Sequence, residues 1–236
     1  MMANRCGEDD WLGGGGSRHT VGVHWVEVDG YAMPVLLAGH PGLELCNTWA
    51  GWADTPDPRR EWLRDYDRLA VWSGHAGLLP ADTVRRLRAA ARAEPAAAER
   101  ALTETRSLRA ALHEVFLVPG DTAAFGAVAR LAREAAAAAT LTTDDTGIAR
   151  WALPDDGGLR LPLLAAARAA AELLCTPART QVRACPGDDC GWLFLDPRGR
   201  RRWCRMAVCG NRAKVRAYAD RRRPATDGPT GRRTAT

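Results

Sequence analysis

Cys185 and Cys190 form one pair near the C-terminus, and Cys204 and Cys209 form a second. Four residues separate the cysteines within each pair and thirteen separate the pairs, and a glycine follows each second cysteine (Gly191, Gly210). Four thiols in two local pairs can make disulfides, hold an iron–sulfur cluster or bind zinc. Disulfides fit poorly, because the chain starts without the charged and apolar stretches of a secretory leader and its seven cysteines are an odd number. Iron–sulfur clusters generally use other spacings. Tetrahedral Zn2+ suits four thiolates, so zinc is favoured over a cluster or an unmetallated remnant. Cysteine at all four positions leaves no place for an activated water, which makes the site structural rather than catalytic. A segment of this length cannot readily build its own core, and a metal substitutes for one. The glycines are expected to adopt the positive φ of tight turns around a metal.

Positive charge lies beside the cysteines. Residues 198–236 hold 13 Lys+Arg and two Asp+Glu, whereas the preceding residues carry a net negative charge. So local an excess points to a polyanion contact rather than to a generally basic surface. Arg200, Arg201, Arg202, Arg205, Arg212, Lys214 and Arg216 are the candidate nucleic-acid contacts. From Asn211 the sequence GNRAKVRAYADRRR reads as a helix, with Asn211 as its N-cap unless the helix starts earlier. Arg212, Arg216 and Arg223 share one stripe and Lys214 and Arg221 another. Val215 and Tyr218 share an apolar edge expected to pack on the metal loops. DNA is the favoured partner. RNA, an acidic protein and an acidic membrane surface are the alternatives.

The elements that must carry this module are mainly α with short β-hairpins. Residues 1–20, with Gly13 to Gly16, read as a flexible tail, since no Gly-Lys-Ser/Thr follows to make a phosphate loop. A hairpin is expected over 21–38, turning at Asp29-Gly30. Leu43, Leu45, Cys46, Trp49 and Trp52 suit a short helix, and Trp62 to Trp72 a second. Pro80 opens a third, Pro95 to Val118 gives a fourth, and Asp121 or Thr122 caps a fifth. A second hairpin is expected over 148–161, turning at Asp155 to Gly158, and a sixth helix over Pro162 to Cys175. The expected organisation is a helical domain at 21–180, a small four-cysteine zinc-binding module at 181–223 that ends in the basic helix, and a disordered tail at 224–236.

Little else offers chemistry. His19, His24, His40, His75 and His113 are scattered and read as surface or half-buried residues. Cys46 and Cys175 lie on apolar helical faces as core residues, and Cys6 lies in the tail. Asp144-Asp145 and Asp155-Asp156 are turn formers. The tryptophans of the first third are core residues, with a ligand pocket as the alternative. Neither a Ser/His/Asp set nor a nucleotide-binding motif appears, so no catalytic residue is assigned and the chain is not expected to be an enzyme. The hydrophobic fraction of 46% supports a core, and no apolar run is long enough to span a bilayer. A cytoplasmic protein with no membrane partner is the expectation.

The stretch CPGDDCGWLFLDPRGRRRWCRMAVCGNRAKVRAYADRRR resembles the CGNR zinc finger, named for the tetrapeptide present here as Cys209-Gly210-Asn211-Arg212. The four cysteines, Trp192-Leu193-Phe194, Asp196, Arg202-Trp203 and Lys214 carry the resemblance. Residues 35–180 resemble, more loosely, the ABATE domain of stress-induced transcription regulators. They do so through LAGHPGLELCNTWAG with Asn47-Thr48, REWLRDYDRLAVWSGHAGLLP and LPLLAAARAAAELL. The resemblance implies zinc held by the four cysteines and DNA binding by the finger. Beside it, the helical domain is expected to sense a small-molecule or protein effector or to assemble a homodimer. Two positions depart from the pattern. Pro197 stands where a serine commonly follows the aspartate, and Glu44 where an aspartate commonly precedes the Asn-Thr pair.

Overall fold

Prolines and aspartates set where the helices begin. The structure, a computed structural model, describes residues 24–52, 57–143 and 145–222. The tails at 1–20 and 224–236, and with them Cys6, His19, Asp144 and Arg223, lie outside the described residues. Asp65 accepts the Arg68 N–H and opens α2 (Tyr66–His75). Pro80, extended at ψ 152°, precedes α3 (Ala81–Ala93). Pro95 is the first residue of α4 (Pro95–Leu117), and Asp121 accepts the N–H groups of Ala123 and Ala124 to start α5 (Thr122–Ala138). The starts of α3, α4 and α5 match the sequence pattern.

The helix α6 (Leu161–Leu174) is the hub. Its leucines and alanines are buried nearly all round, and it packs on α1 (Pro41–Glu44), α4 and α5. The α1 contact is backbone on backbone: a Cβ at Gly42 would lie 2.6 Å from the Ala170 Cα. Leu102, Leu108, Leu112, Val115 and Phe116 of α4 fill the same core with Leu69 and Trp72 of α2. At roughly 25 cal/mol per Å2 of apolar surface removed from water, this burial is the main force holding the array together. Among the described residues no helix is long and apolar enough to cross a membrane.

Among the described residues the strands form three separate antiparallel pairs. In the first, β1 (Trp25–Val28) pairs with β2 (Tyr31–Pro34) around Asp29 and Gly30, whose φ values of +50° and +79° suit the two-residue hairpin turn expected there. The second corrects the expected 148–161 hairpin. Its strands are β3 (Thr140–Thr143) and β4 (Ala149–Ala152), so the chain reverses between these two strands, while Asp155 to Gly158 lead into α6. The third, β5 (Val182–Ala184) with β6 (Leu193–Leu195), lies within the cysteine segment.

Three further expectations change. The helix at Leu43 stops at Glu44. A 3-10 turn over Cys46–Thr48 follows, and Trp49 then pairs with Glu61. Trp62 precedes α2 rather than lying on it. Cys46 is a core residue as expected, but Cys175 is exposed just past the end of α6.

Candidate metal centre and nucleic-acid interface

The β5–β6 hairpin builds the first half of the cysteine site. The Cys185 N–H donates to the Trp192 carbonyl at 2.8 Å, which closes the turn that brings Cys185 and Cys190 together. Asp189 and Gly191 take positive φ, +59° and +73°. Gly191 thus fills the turn role expected of it. Gly210 does not: it lies in a π-helical turn over Met206–Gly210, and its need is for space, since a Cβ there would lie 2.3 Å from the Met206 Sδ. That turn delivers Cys209 beside Cys204. Gly187 leaves room for the cluster, because a Cβ on it would lie 3.1 Å from the Cys209 Sγ.

The four sulfurs lie within 4.8 Å of one another, and all four cysteines are buried. Cys204 Sγ is 3.6 Å from that of Cys190 and 3.5 Å from that of Cys209. Four sulfurs about 2.3 Å from a tetrahedral zinc would stand about 3.8 Å apart, so the donor set fits that ion. Two further groups reach the cluster. The Arg212 Nη2 donates to the Cys209 Sγ at 3.4 Å, and the His24 Nε2 lies 4.0 Å from the same sulfur. Both complement the negative charge that metal-binding thiolates carry.

The finger is docked on the helical part through buried polar contacts. The Asn47 Oδ1 accepts the Leu193 N–H at 2.8 Å, and its Nδ2 donates to the Leu193 carbonyl at 3.0 Å. One side chain thus extends the β6 edge as a strand would. The Trp192 indole donates to the Trp49 carbonyl, the Gly51 N–H to the Cys190 carbonyl and the Leu195 N–H to the Ala38 carbonyl, each at 2.8 Å. His113, stacked on Trp52, donates from Nε2 to the Gly191 carbonyl, and burial pushes its pKa down to about 4. Leu193 and Val182 join the main core, while Ala50 joins the cysteine cluster. His24 and His113 are therefore buried junction residues, not the surface or half-buried ones expected. Glu44 holds the neighbouring loop by accepting the Ala38 N–H at 2.7 Å.

The candidate nucleic-acid residues fall into two groups. Arg201 points inward. It donates to the carbonyls of Leu37, Trp203 and Cys204, and its guanidinium lies 4.3 Å from the centre of the Phe194 ring. Arg200, Arg202 and Arg205 are exposed around the second cysteine pair. Asp196 fixes their loop by accepting the N–H groups of Arg200 and Arg201, so Pro197 has not removed that cap. The basic helix α7 (Asn211–Arg222) continues directly from the π turn. Asn211 is consequently not its cap, and its amide donates back to the Ala207 carbonyl instead. Arg212, Lys214 and Arg216 are all exposed, but Arg212 and Arg216 reach back toward the finger, the latter to Asp188. Val215 and Tyr218 are 68% and 54% exposed, so the apolar edge expected to seat α7 on the metal loops faces solvent. The helix runs away from the loops, and Asn211, Arg212 and Arg216 supply its side-chain ties to them.

Residues 39–177 match the family model ABATE, described as "Putative stress-induced transcription regulator", and residues 181–222 match that of the CGNR zinc finger. The first match covers more than half of the chain. The chain belongs to the ABATE family. Its C-terminal part is a CGNR zinc finger, and zinc is the cofactor that this family and the four clustered cysteines share. Both families are regulatory or zinc-finger rather than enzymatic. No curated protein matches the chain. Asn47, part of the stretch that resembles ABATE, is one of the residues that tie the ABATE domain to the finger.

Proposed function

We propose that this ABATE protein is a DNA-binding regulator in which Cys185, Cys190, Cys204 and Cys209 hold a structural zinc and the basic segment after them contacts the duplex. The observation that carries the reading is α7, a helix without a buried residue, rich in cations and set directly on the buried cysteine cluster. Arg200, Arg202, Arg205 and Lys214 supply exposed charge for phosphates. Arg201 stays with its carbonyls, and Arg212 and Arg216 stay on the finger side of α7, at Cys209 and Asp188. The zinc would supply no reaction step. It would join β5–β6 to the π turn and so set the direction of α7.

The ABATE domain is the candidate sensor or assembly element. An open groove of about 810 Å3 lies beside the β3–β4 hairpin, lined by His40, Arg150, Trp151, Arg168 and Glu172 among others. Leu141, Ile148 and Trp151 of that hairpin region are exposed apolar groups suited to an effector or a second copy. Titrating labelled duplex DNA with zinc-loaded protein, against equal amounts of unlabelled RNA or DNA competitor, tests the reading. Preferential displacement by DNA supports it. Preferential displacement by RNA, or no binding, rejects it in favour of an RNA or protein partner.

A further inference from the structure

We propose that the face of α7 carrying Lys214, Val215 and Tyr218 enters the DNA groove and reads base edges, while Arg212 and Arg216 hold that face outward. This rests on the DNA-binding reading above. In a 3.6-residue helix Arg212 and Arg216 lie one turn apart on one side, and Lys214 lies on the opposite side. The first side is tied to the finger: Arg212 donates to the Cys209 Sγ at 3.4 Å, and Arg216 pairs with Asp188. The helix continues without a break from the π turn that carries Cys209, and this continuity together with the Arg212 tie fixes its rotation about its own axis. Lys214 and Tyr218 are thereby turned away from the finger, with Val215 on their flank and Arg222 stacked 5.2 Å from the Tyr218 ring centre.

The exposed face mixes cations with a methyl-bearing and an aromatic side chain. Phosphate contact alone needs neither Val215 nor Tyr218 in water. A groove uses both kinds of group: cations for phosphates and guanine edges, methyls for the thymine methyl. Charge selects the occupant. Lys214, Arg221 and Arg222 crowd the face, and Asp220 is the only acid on α7. A second copy docked on it would set these cations against their own kind, whereas DNA neutralises them.

The test is a selection from random duplexes with the full zinc-loaded chain, run for the natural protein and for a Val215→Ala, Tyr218→Ala double variant. Both positions are exposed, and alanine favours helix. The natural protein is expected to enrich a sequence motif. The variant is expected to keep its zinc, and its affinity for unselected duplex to within about two-fold, while its preference for the motif falls roughly ten-fold or more. Equal preference in both proteins overturns the proposal. So does duplex binding by the natural protein with no motif, or a change of oligomeric state in the variant by light scattering, which would mean that a second copy covers this face. Failure of the natural protein to bind any duplex is a different result and rejects the DNA reading itself.

Discussion

Replacing Asn47 with alanine should undock the finger from the ABATE domain. Asn47 is fully buried, and its amide satisfies both backbone groups of Leu193, itself fully buried, at 2.8 and 3.0 Å. Alanine leaves an N–H and a carbonyl without partners. Each orphaned buried group costs about 1–3 kcal/mol, and a water entering the vacated space recovers part of that. The expected loss is therefore about 3 kcal/mol. At 1.4 kcal/mol per factor of ten, undocking becomes about 100-fold more favourable. Leu193 lies three residues from Cys190, so the loosened hairpin should also expose the metal. Two readouts check this on the full zinc-loaded chain: urea unfolding followed by tryptophan fluorescence, and the rate of zinc transfer to a chelator. Asn47→Asp should fare no better, because it keeps an acceptor for the N–H but sets a carboxylate against the Leu193 carbonyl. A stability change under about 0.5 kcal/mol with an unchanged zinc-transfer rate would refute the claim that this amide fastens the two parts.

Glu44 gives a pH prediction. Burial raises its carboxyl from 4.5 to about 7 in the folded chain, against the pull of the Ala38 N–H and Arg201. Below pH 4.5 both states hold the proton; between 4.5 and 7 only the unfolded chain releases it, so stability falls with rising pH by about 3 kcal/mol and then levels. Glu44→Gln should show no gain at pH 4.5 and a gain approaching about 3 kcal/mol at pH 8; a pH-independent difference from the natural protein in urea unfolding would contradict this. Gly191→Ala joins a positive-φ penalty to a Cβ only 2.8 Å from that of Trp52, for an expected loss of about 2–4 kcal/mol. Gly199→Ala, at φ +63° in open space, should lose only about 1 kcal/mol, and equal losses in thermal unfolding would remove the contact argument. Asp188→Asn frees Arg216 for a phosphate and should steepen the salt dependence of DNA affinity by about one unit; an unaltered slope argues against the ion pair.

The helix starts were legible because Pro80, Pro95 and Asp121 act locally, through a fixed φ or a carboxylate next to free N–H groups. The cysteine spacing was equally local, and the four sulfurs do converge. The hairpin lies at 140–152 and not at the expected 148–161 because two aspartate- and glycine-rich stretches of sequence lie close together, at 144–147 and 155–158. The threonine-rich run 140–143, whose branched side chains favour strands, was the signal that separates them. The outward turn of Val215 and Tyr218 was hidden because a helical wheel gives relative directions and not which side is held. Arg212 and Arg216 settle that through Cys209 and Asp188. Asn47 meets Leu193 across most of the chain's length, a pairing that no periodicity reveals. The buried roles of His24 and His113 arise the same way, from contacts with Trp192, Cys209 and Gly191 that only the tertiary fold brings together.

The central claim is that a zinc-organised basic surface binds DNA. The most direct measurement is duplex affinity of the full chain as a function of salt, with zinc loaded and after its removal by a chelator. Log K should fall against log salt with a slope of about −4 or steeper, and binding should be lost without zinc. An affinity indifferent to salt, or the same with and without the metal, would contradict it.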